Sequence, residues 1–524
     1  MQRIDAATLH RWVTEAGRPD GGELAILDAR EEGEFGAAHL FWAVPCPLSR
    51  REARARALLP CTATRIVCVD AGGGLAERLA DYLASLGCTD LHVLDGGTRD
   101  WVDAGYVLFS GVNVPSKAFG EWVEHEYGTE SIDAPALRHM IDSGRNMVVL
   151  DSRTPEEFHR MSIPTGISVP GAELAYRIAE LAPDPETLVV VNCAGRTRSI
   201  MGAETLRQAG IPNQVLALRN GTMGWELAGL ACDHGQQARY SPGTPPSLGL
   251  AQYRAENFAD RTGVRSLTAA QLAGFAADPA RSLYVLDVRD PEEFAAGHLA
   301  GSTSAPGGQL VQATDHWIGV RGARIALIDD TGVRARMTAG WLRLMGHRDV
   351  FVVEDGLRAT LPARPRPAPL PAEPITAKAL ADAPDALVVD LARSVDFRDG
   401  HIPGAVWLIR TRLAALEPDL RTAPMVVLTS PDGTAAPLAV AELRALTPAP
   451  IRVLEGGTRA WAAAGHPLAK DRLSPPDSAC SDVYLRPYDR NSGVAEAMQA
   501  YLSWEIDLVH EIARDGTVHF GPRP

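Results

Sequence analysis

Cysteine is scarce in this chain, and apolar runs long enough to matter to a membrane are missing. Seven cysteines serve 524 residues, and no two of them form a Cys-x-x-Cys pair. Neither a disulfide framework nor a zinc site is supported, so a reducing compartment is expected. No uninterrupted apolar stretch approaches a bilayer span. The opening Met1-Gln2-Arg3-Ile4-Asp5 leads into an amphipathic pattern with none of the apolar core of a signal peptide. A cytoplasmic protein with no membrane partner is the expectation. An excess of basic charge is also lacking. The net charge of -14 argues against nucleic acid as a partner, because phosphate backbones need a basic face. Any anionic substrate must then be drawn in by local positive charge, against the field of the whole molecule.

What is present is the material of a soluble globular protein: 46% hydrophobic and 22% charged residues. The length suggests three or four domains, each with its own core. An internal repeat supports four. Short apolar runs end in aspartate at Ala25-Ile26-Leu27-Asp28, Val148-Val149-Leu150-Asp151, Tyr284-Val285-Leu286-Asp287 and Leu387-Val388-Val389-Asp390. Such runs read as parallel strands buried on both faces. Three continue as Asp-x-Arg: Asp28 with Arg30, Asp151 with Arg153, and Asp287 with Arg289. A closing turn follows each aspartate by 66 to 69 residues, at Gly96-Gly97-Thr98, Asn220-Gly221-Thr222, Asp355-Gly356-Leu357 and Gly456-Gly457-Thr458. Near-constant spacing four times over marks one structural unit repeated.

Between these landmarks strand-like runs feed helix-like runs, as in Leu188-Val189-Val190-Val191-Asn192 followed by Ser199 to Gln208. The fold class is therefore α/β: four tandem modules, each a mostly parallel sheet flanked by helices. The boundaries are read as 1–112, 129–236, 264–362 and 374–470, with a helical tail at 471–524. Ser241 to Pro246 and the proline-rich stretch from Pro362 to Pro374 read as linkers. In the tail, Val494, Met498, Tyr501, Leu502, Leu508, Val509 and Ile512 share one helical face. Docking on a neighbouring module or across a homodimer is the first reading of that face, and binding a partner protein the second.

Chemistry concentrates after the central strand of the second module, where an open α/β sheet places its ligand. The loop reads Cys193-Ala194-Gly195-Arg196-Thr197-Arg198-Ser199 and opens into a helix. Successive backbone N–H groups at such a turn make a concave anion site. Gly195 lets the backbone curl towards the sulfur. Arg196 and Arg198 are expected to favour thiolate and to hold an oxyanion.

With Asp-x-Arg, a cysteine loop 42 residues after Asp151, and Asn220-Gly221-Thr222 followed by Trp225, residues 1 to 470 resemble the rhodanese family. The resemblance implies a sulfurtransferase in which Cys193 takes sulfane sulfur from a donor such as thiosulfate. The resulting persulfide passes the sulfur to cyanide or a thiol, without cofactor or metal. Arg196, Arg198, Ala194, Gly195, Thr197 and Ser199 would then bind the substrate, with Asp151 and Arg153 as structural support. Phosphatases on the same fold use Cys-x5-Arg, whereas Cys193 to Arg198 is Cys-x4-Arg, which disfavours phosphatase or arsenate-reductase activity. Mercaptopyruvate-type members carry a Cys-Gly-x-Gly loop that Ala194 and Arg196 do not match. A persulfide carrier or scaffold with little small-molecule turnover is the alternative.

The equivalent loop position holds Asp70 in the first module, Asp330 in the third by residue count, and Ser430 in the fourth. Those modules are read as inactive, and the first is the expected neighbour walling the pocket. Cys68 and the other cysteines read as small core hydrophobes. His39, His298 and His401 follow the phenylalanines Phe35, Phe294 and Phe397 at a shared position and read as packing histidines. The second module has Ser162 there.

Overall fold

A computed structural model describes residues 1–361 and 372–521. Most of the proline-rich linker expected from Pro362 lies outside the described residues. Four parallel sheets recur with one strand order. In the second module the spatial order is Ser131–Ile132, Val215–Leu218, Leu188–Asn192, Met147–Asp151 and Ile167–Ser168. The central strand is buried along its whole length because helices cover both faces, which is why it is an unbroken apolar run. The first module's sheet gains one more edge strand, Val320–Arg321 of the third module, paired antiparallel to Leu24 and Ala25.

Register fixes the equivalent loop positions. Asp28 pairs with Val69, Asp151 with Asn192, Asp287 with Ile328, and Asp390 with Thr429. The next residues are Asp70, Cys193, Asp329 and Ser430. In the third module the position therefore belongs to Asp329, not to Asp330. A count from the aspartate runs one residue past the true strand end there. The Asp330 carboxylate instead meets Arg334 at 2.6 Å.

The closing turns have a shared physical job. Gly97, Gly221 and Gly457 all have left-handed φ, and the threonine N–H after each donates to the carbonyl of the loop residue: Thr98 to Asp70, Thr222 to Cys193, and Thr458 to Ser430. The turn buttresses the loop from behind, which keeps their separation along the chain nearly constant.

The expectation of separate cores fails for the first three modules. Leu27, Leu58, Phe119, Met201, Phe258, Leu327 and Trp341 belong to one continuous apolar cluster. Two helices in the inter-module stretches complete it, Val114–Tyr127 and Pro245–Arg261. The second begins inside the stretch read as a linker, because Thr244 and Pro245 form a helix start rather than a spacer. Buried Arg334 bridges modules two and three, meeting Glu173 at 2.7 Å and Glu293 at 2.6 Å. The fourth module keeps cores of its own.

The tail helix spans Val494–Asp515 and buries Met498, Leu502, Glu505, Leu508 and Ile512. Leu508 and Ile512 pack on Phe109, Val114 and Ala118, and Met498 and Leu502 on Met223. The apolar face is thus covered within the chain. Among the described residues no helix is long and apolar enough to cross a membrane.

Candidate active site

Cys193 follows the last residue of the central strand and is 2% exposed. Behind it the Asp-x-Arg pair forms a closed fork: Arg153 donates to Asp151 at 2.9 and 2.7 Å and to the Met161 carbonyl at 2.5 Å. Arg30 and Arg289 repeat this fork in modules one and three. A geometry shared with loops that lack cysteine belongs to scaffolding. Asn192 ties the fork to the central strand by donating to Asp151 at 2.9 Å.

The loops differ in what their amides bind. In module one the Asp70 carboxylate accepts from the N–H groups of Gly72, Leu75 and Ala76 at 2.6 to 3.2 Å. In module three Asp329 does the same with Gly332, Arg334 and Ala335. Each aspartate thereby ties off its own anion site. In module two a sulfur stands at that position. Among the described residues, the amides of 194–198 make no backbone hydrogen bond.

The loop lines a cavity of about 140 Å³, together with residues from elsewhere in the chain. Cys193, Ala194, Gly195, Arg196, Thr197 and Arg198 all border it. Ser199 does not; it lies beneath, where its side chain and backbone hydrogen-bond the sulfur. Burial pushes the Cys193 thiol above its usual range, Arg198 and Ser199 pull against that rise, and Glu505 adds to it.

Both loop arginines are engaged by carboxylates, unlike the free cations expected from sequence. Arg196 makes a two-pronged bond to Glu121 at 2.8 and 2.7 Å and also meets Glu124. Arg198 makes another to Glu157 at 2.6 and 2.7 Å. Burial opposes ionisation of Glu157, yet Arg198, with Arg153 and Arg486 behind it, holds its carboxyl well below the usual range. Paired charges of this kind shape the loop more than they attract an anion.

The far walls come from segments that the sequence reading left out of the site. The helix Val114–Tyr127 brings Lys117, Glu121 and Glu124. The tail brings Tyr484, Arg486, Tyr488, Tyr501 and Glu505. Val112 is the one residue of module one at the cavity, so that module is not the neighbour wall it was expected to be. Arg486 is felt by Glu32 and Glu157 but makes no direct ion pair among the described residues. Glu505 had a readable signal, a carboxylate inside the stripe Met498, Leu502, Leu508 and Ile512. Arg486 had none.

The shared position after each phenylalanine is a packing site. His39, His298 and His401 stack on their phenylalanines at 3.8, 3.8 and 3.7 Å between ring centroids.

A family model described as the rhodanese-like domain matches residues 13–104, 133–228, 268–361 and 373–464. The chain belongs to the rhodanese family. The crystal structure of a thiosulfate sulfurtransferase from Pseudomonas aeruginosa superimposes on it with a TM-score of 0.92 at 45% identity, covering 99% of each chain. A sulfurtransferase of Allochromatium vinosum is 30% identical over 99 residues, 19% of this chain and 90% of its own. An HTH-type transcriptional regulator of Mycobacterium tuberculosis is 37% identical over 90 residues, 17% of this chain. That match spans 38% of the regulator's length. These likenesses place the chain among rhodanese-fold sulfurtransferases. The four rhodanese modules here are unequal, since one loop holds a cysteine, two an aspartate and one a serine.

Proposed function

We propose that this chain moves sulfane sulfur from a small anionic donor such as thiosulfate to a thiol or cyanide, through a persulfide on Cys193. One observation carries the reading. Cys193 takes the place at which Asp70 and Asp329 bind their own loop amides, and it opens on a cavity.

The likeness to a thiosulfate sulfurtransferase along the whole chain supports thiosulfate as the donor. In the first step the Cys193 thiolate attacks the outer sulfur of thiosulfate. The S–S bond of the donor breaks, and sulfite leaves with the electron pair. The amides of 194–198 receive the negative charge of the persulfide, with Arg198 beside them. Arg486, the cation not tied to a carboxylate, holds the donor's oxyanion from the tail side. Arg196 serves as a strut between the loop and the helix Val114–Tyr127. In the second step an acceptor removes the outer sulfur and restores the thiolate.

The test is thiocyanate formation from thiosulfate and cyanide by the full chain and by Cys193→Ser, with the mass of the thiosulfate-treated protein read in parallel. The expected result is turnover and a gain of one sulfur in the parent, and neither in the variant. Turnover that survives the substitution would overturn the covalent route. A stable gain of one sulfur without turnover would make the chain a carrier.

A further inference from the structure

Most charges around Cys193 are spent inside the protein at both ends; Glu505 is spent at one. Its side chain is buried, at 1% exposure, on the cavity wall opposite the cysteine loop. Oε1 accepts from Lys117 Nζ at 2.7 Å, from Thr197 Oγ1 at 3.1 Å and from the Tyr501 hydroxyl at 3.2 Å. Oε2 has no hydrogen-bond partner among the described residues. Its direction is fixed, because it lies 3.1 Å from the point where a Cβ on Gly195 would stand. Gly195 thus leaves room for a carboxylate oxygen at the mouth of the sulfur loop. Leaving a buried acceptor unsatisfied is costly, and the cost is recovered when a ligand brings a donor.

The sulfur cycle contains a donor of this kind. A free thiol of ordinary pKa, about 8.5, carries its proton at neutral pH and attacks only as thiolate. We propose that Glu505 Oε2 accepts the S–H proton of the sulfur acceptor, and that this acceptor is a neutral thiol. The inference rests on the Cys193 persulfide proposed above. As the acceptor sulfur bonds to the outer sulfur of Cys193–S–S⁻, its proton passes to Oε2. The Cys193–sulfur bond breaks, and its electron pair stays on Cys193 as thiolate. The product leaves as a persulfide anion, and Glu505 returns its proton to solvent. Sulfane sulfur changes hands without net oxidation or reduction.

The groups facing Glu505 are Lys117 and Glu121 from the helix Val114–Tyr127, Arg196, Thr197 and Cys193 from the loop, and Tyr501 and Tyr484 from the tail. Burial works to lower Lys117, but Glu505 and Tyr501 more than offset it, and the lysine stays charged. Burial raises Tyr501 above its usual range. Neither group titrates across neutrality.

The test uses single-turnover sulfur removal from the full chain after loading with thiosulfate. Two acceptors are compared, N-acetylcysteinamide as a neutral thiol and sulfite, whose dianion has no proton to lose. At pH 7 a thiol of pKa about 8.5 is roughly 3% ionised, so loss of the base slows thiol transfer by about 30-fold. Glu505→Gln is expected to gain one sulfur as the parent does and to yield it to sulfite within about twofold. Its thiol transfer should fall by about 30-fold at pH 7, with the gap closing as pH passes the thiol's own pKa. The double variant Lys117→Met/Glu505→Gln removes both buried charges and should behave alike. Equal slowing with both acceptors would overturn the proposal in favour of a structural role, and so would unchanged thiol transfer. Loss of loading confined to the variants would assign Glu505 to Cys193 instead. Failure of the parent to load would fell the persulfide reading itself.

Discussion

Replacing Gly221 by alanine tests whether the closing turn positions the sulfur loop. Gly221 has φ +55°, and a Cβ there would stand 2.2 Å from the Cys193 carbonyl oxygen. The left-handed backbone costs an alanine about 1 kcal/mol. The contact is more serious, because the methyl must gain over ~1 Å to reach ordinary van der Waals distance, and what moves is the backbone of the nucleophile. A displacement of ~1 Å at a reacting centre costs on the order of 100-fold in rate. Two matched substitutions separate position from stability. Gly97→Ala repeats the geometry in module one, with φ +64° and a Cβ 2.3 Å from the Asp70 carbonyl oxygen. Gly105→Ala places its Cβ in open space at φ +86°. The assay is thiocyanate formation alongside a thermal melt for each variant. Gly221→Ala should lose ~100-fold in turnover, Gly97→Ala should lose thermal stability with turnover within about threefold, and Gly105→Ala should show only the backbone cost. Full activity in Gly221→Ala, or equal loss in Gly97→Ala, would refute the assigned role of the turn.

Three further outcomes are expected. Because burial raises the Cys193 pKa, the loading rate should climb with pH through 7 to about 9 without a plateau; a plateau near pH 7 would show the thiol already ionised. Arg486→Met should raise the KM for thiosulfate about tenfold with a smaller change in kcat, as loss of one charge-assisted contact implies; an unchanged KM would return donor binding to the loop alone. Burial lowers the His39 pKa to about 3, against about 6.5 in an unfolded chain. The unfolded state therefore binds the extra proton first, and stability falls as pH drops from about 6.5 towards 3. His39→Gln should flatten that fall in acid melts, and an unaltered acid limb would count against it.

The repeat was legible because strand ends and closing turns answer to backbone geometry that each module must satisfy for itself. Asp-x-Arg, the Cys193 loop and the glycine turns are local, and their spacing survives in a one-dimensional reading. The loop position of module three slipped by one residue for the same reason: counting from Asp287 finds Asp330, while strand register finds Asp329. What stayed hidden was distant. Arg196 and Arg198 look like free cations until Glu121 and Glu157 come within 3 Å of them. Lys117, Arg486 and Glu505 belong to segments outside the repeat, and nothing in the repeat indicates where those segments dock. The shared core of modules one to three was hidden likewise, since Phe258 and Trp341 meet from different units.

The roof over Cys193 has a consequence for the order in which the molecule is made. Thr197 and Glu505 are 308 residues apart in the chain. At ribosomal speeds of roughly 5–20 residues per second, about 15–60 s pass between synthesis of the sulfur loop and synthesis of the carboxylate that covers it. For that interval the second module has its thiol and its floor but no ceiling. A nascent chain is thus a different chemical object from the finished one, open to any electrophile of the translating cell, and it becomes selective only when its last helix closes over the cavity.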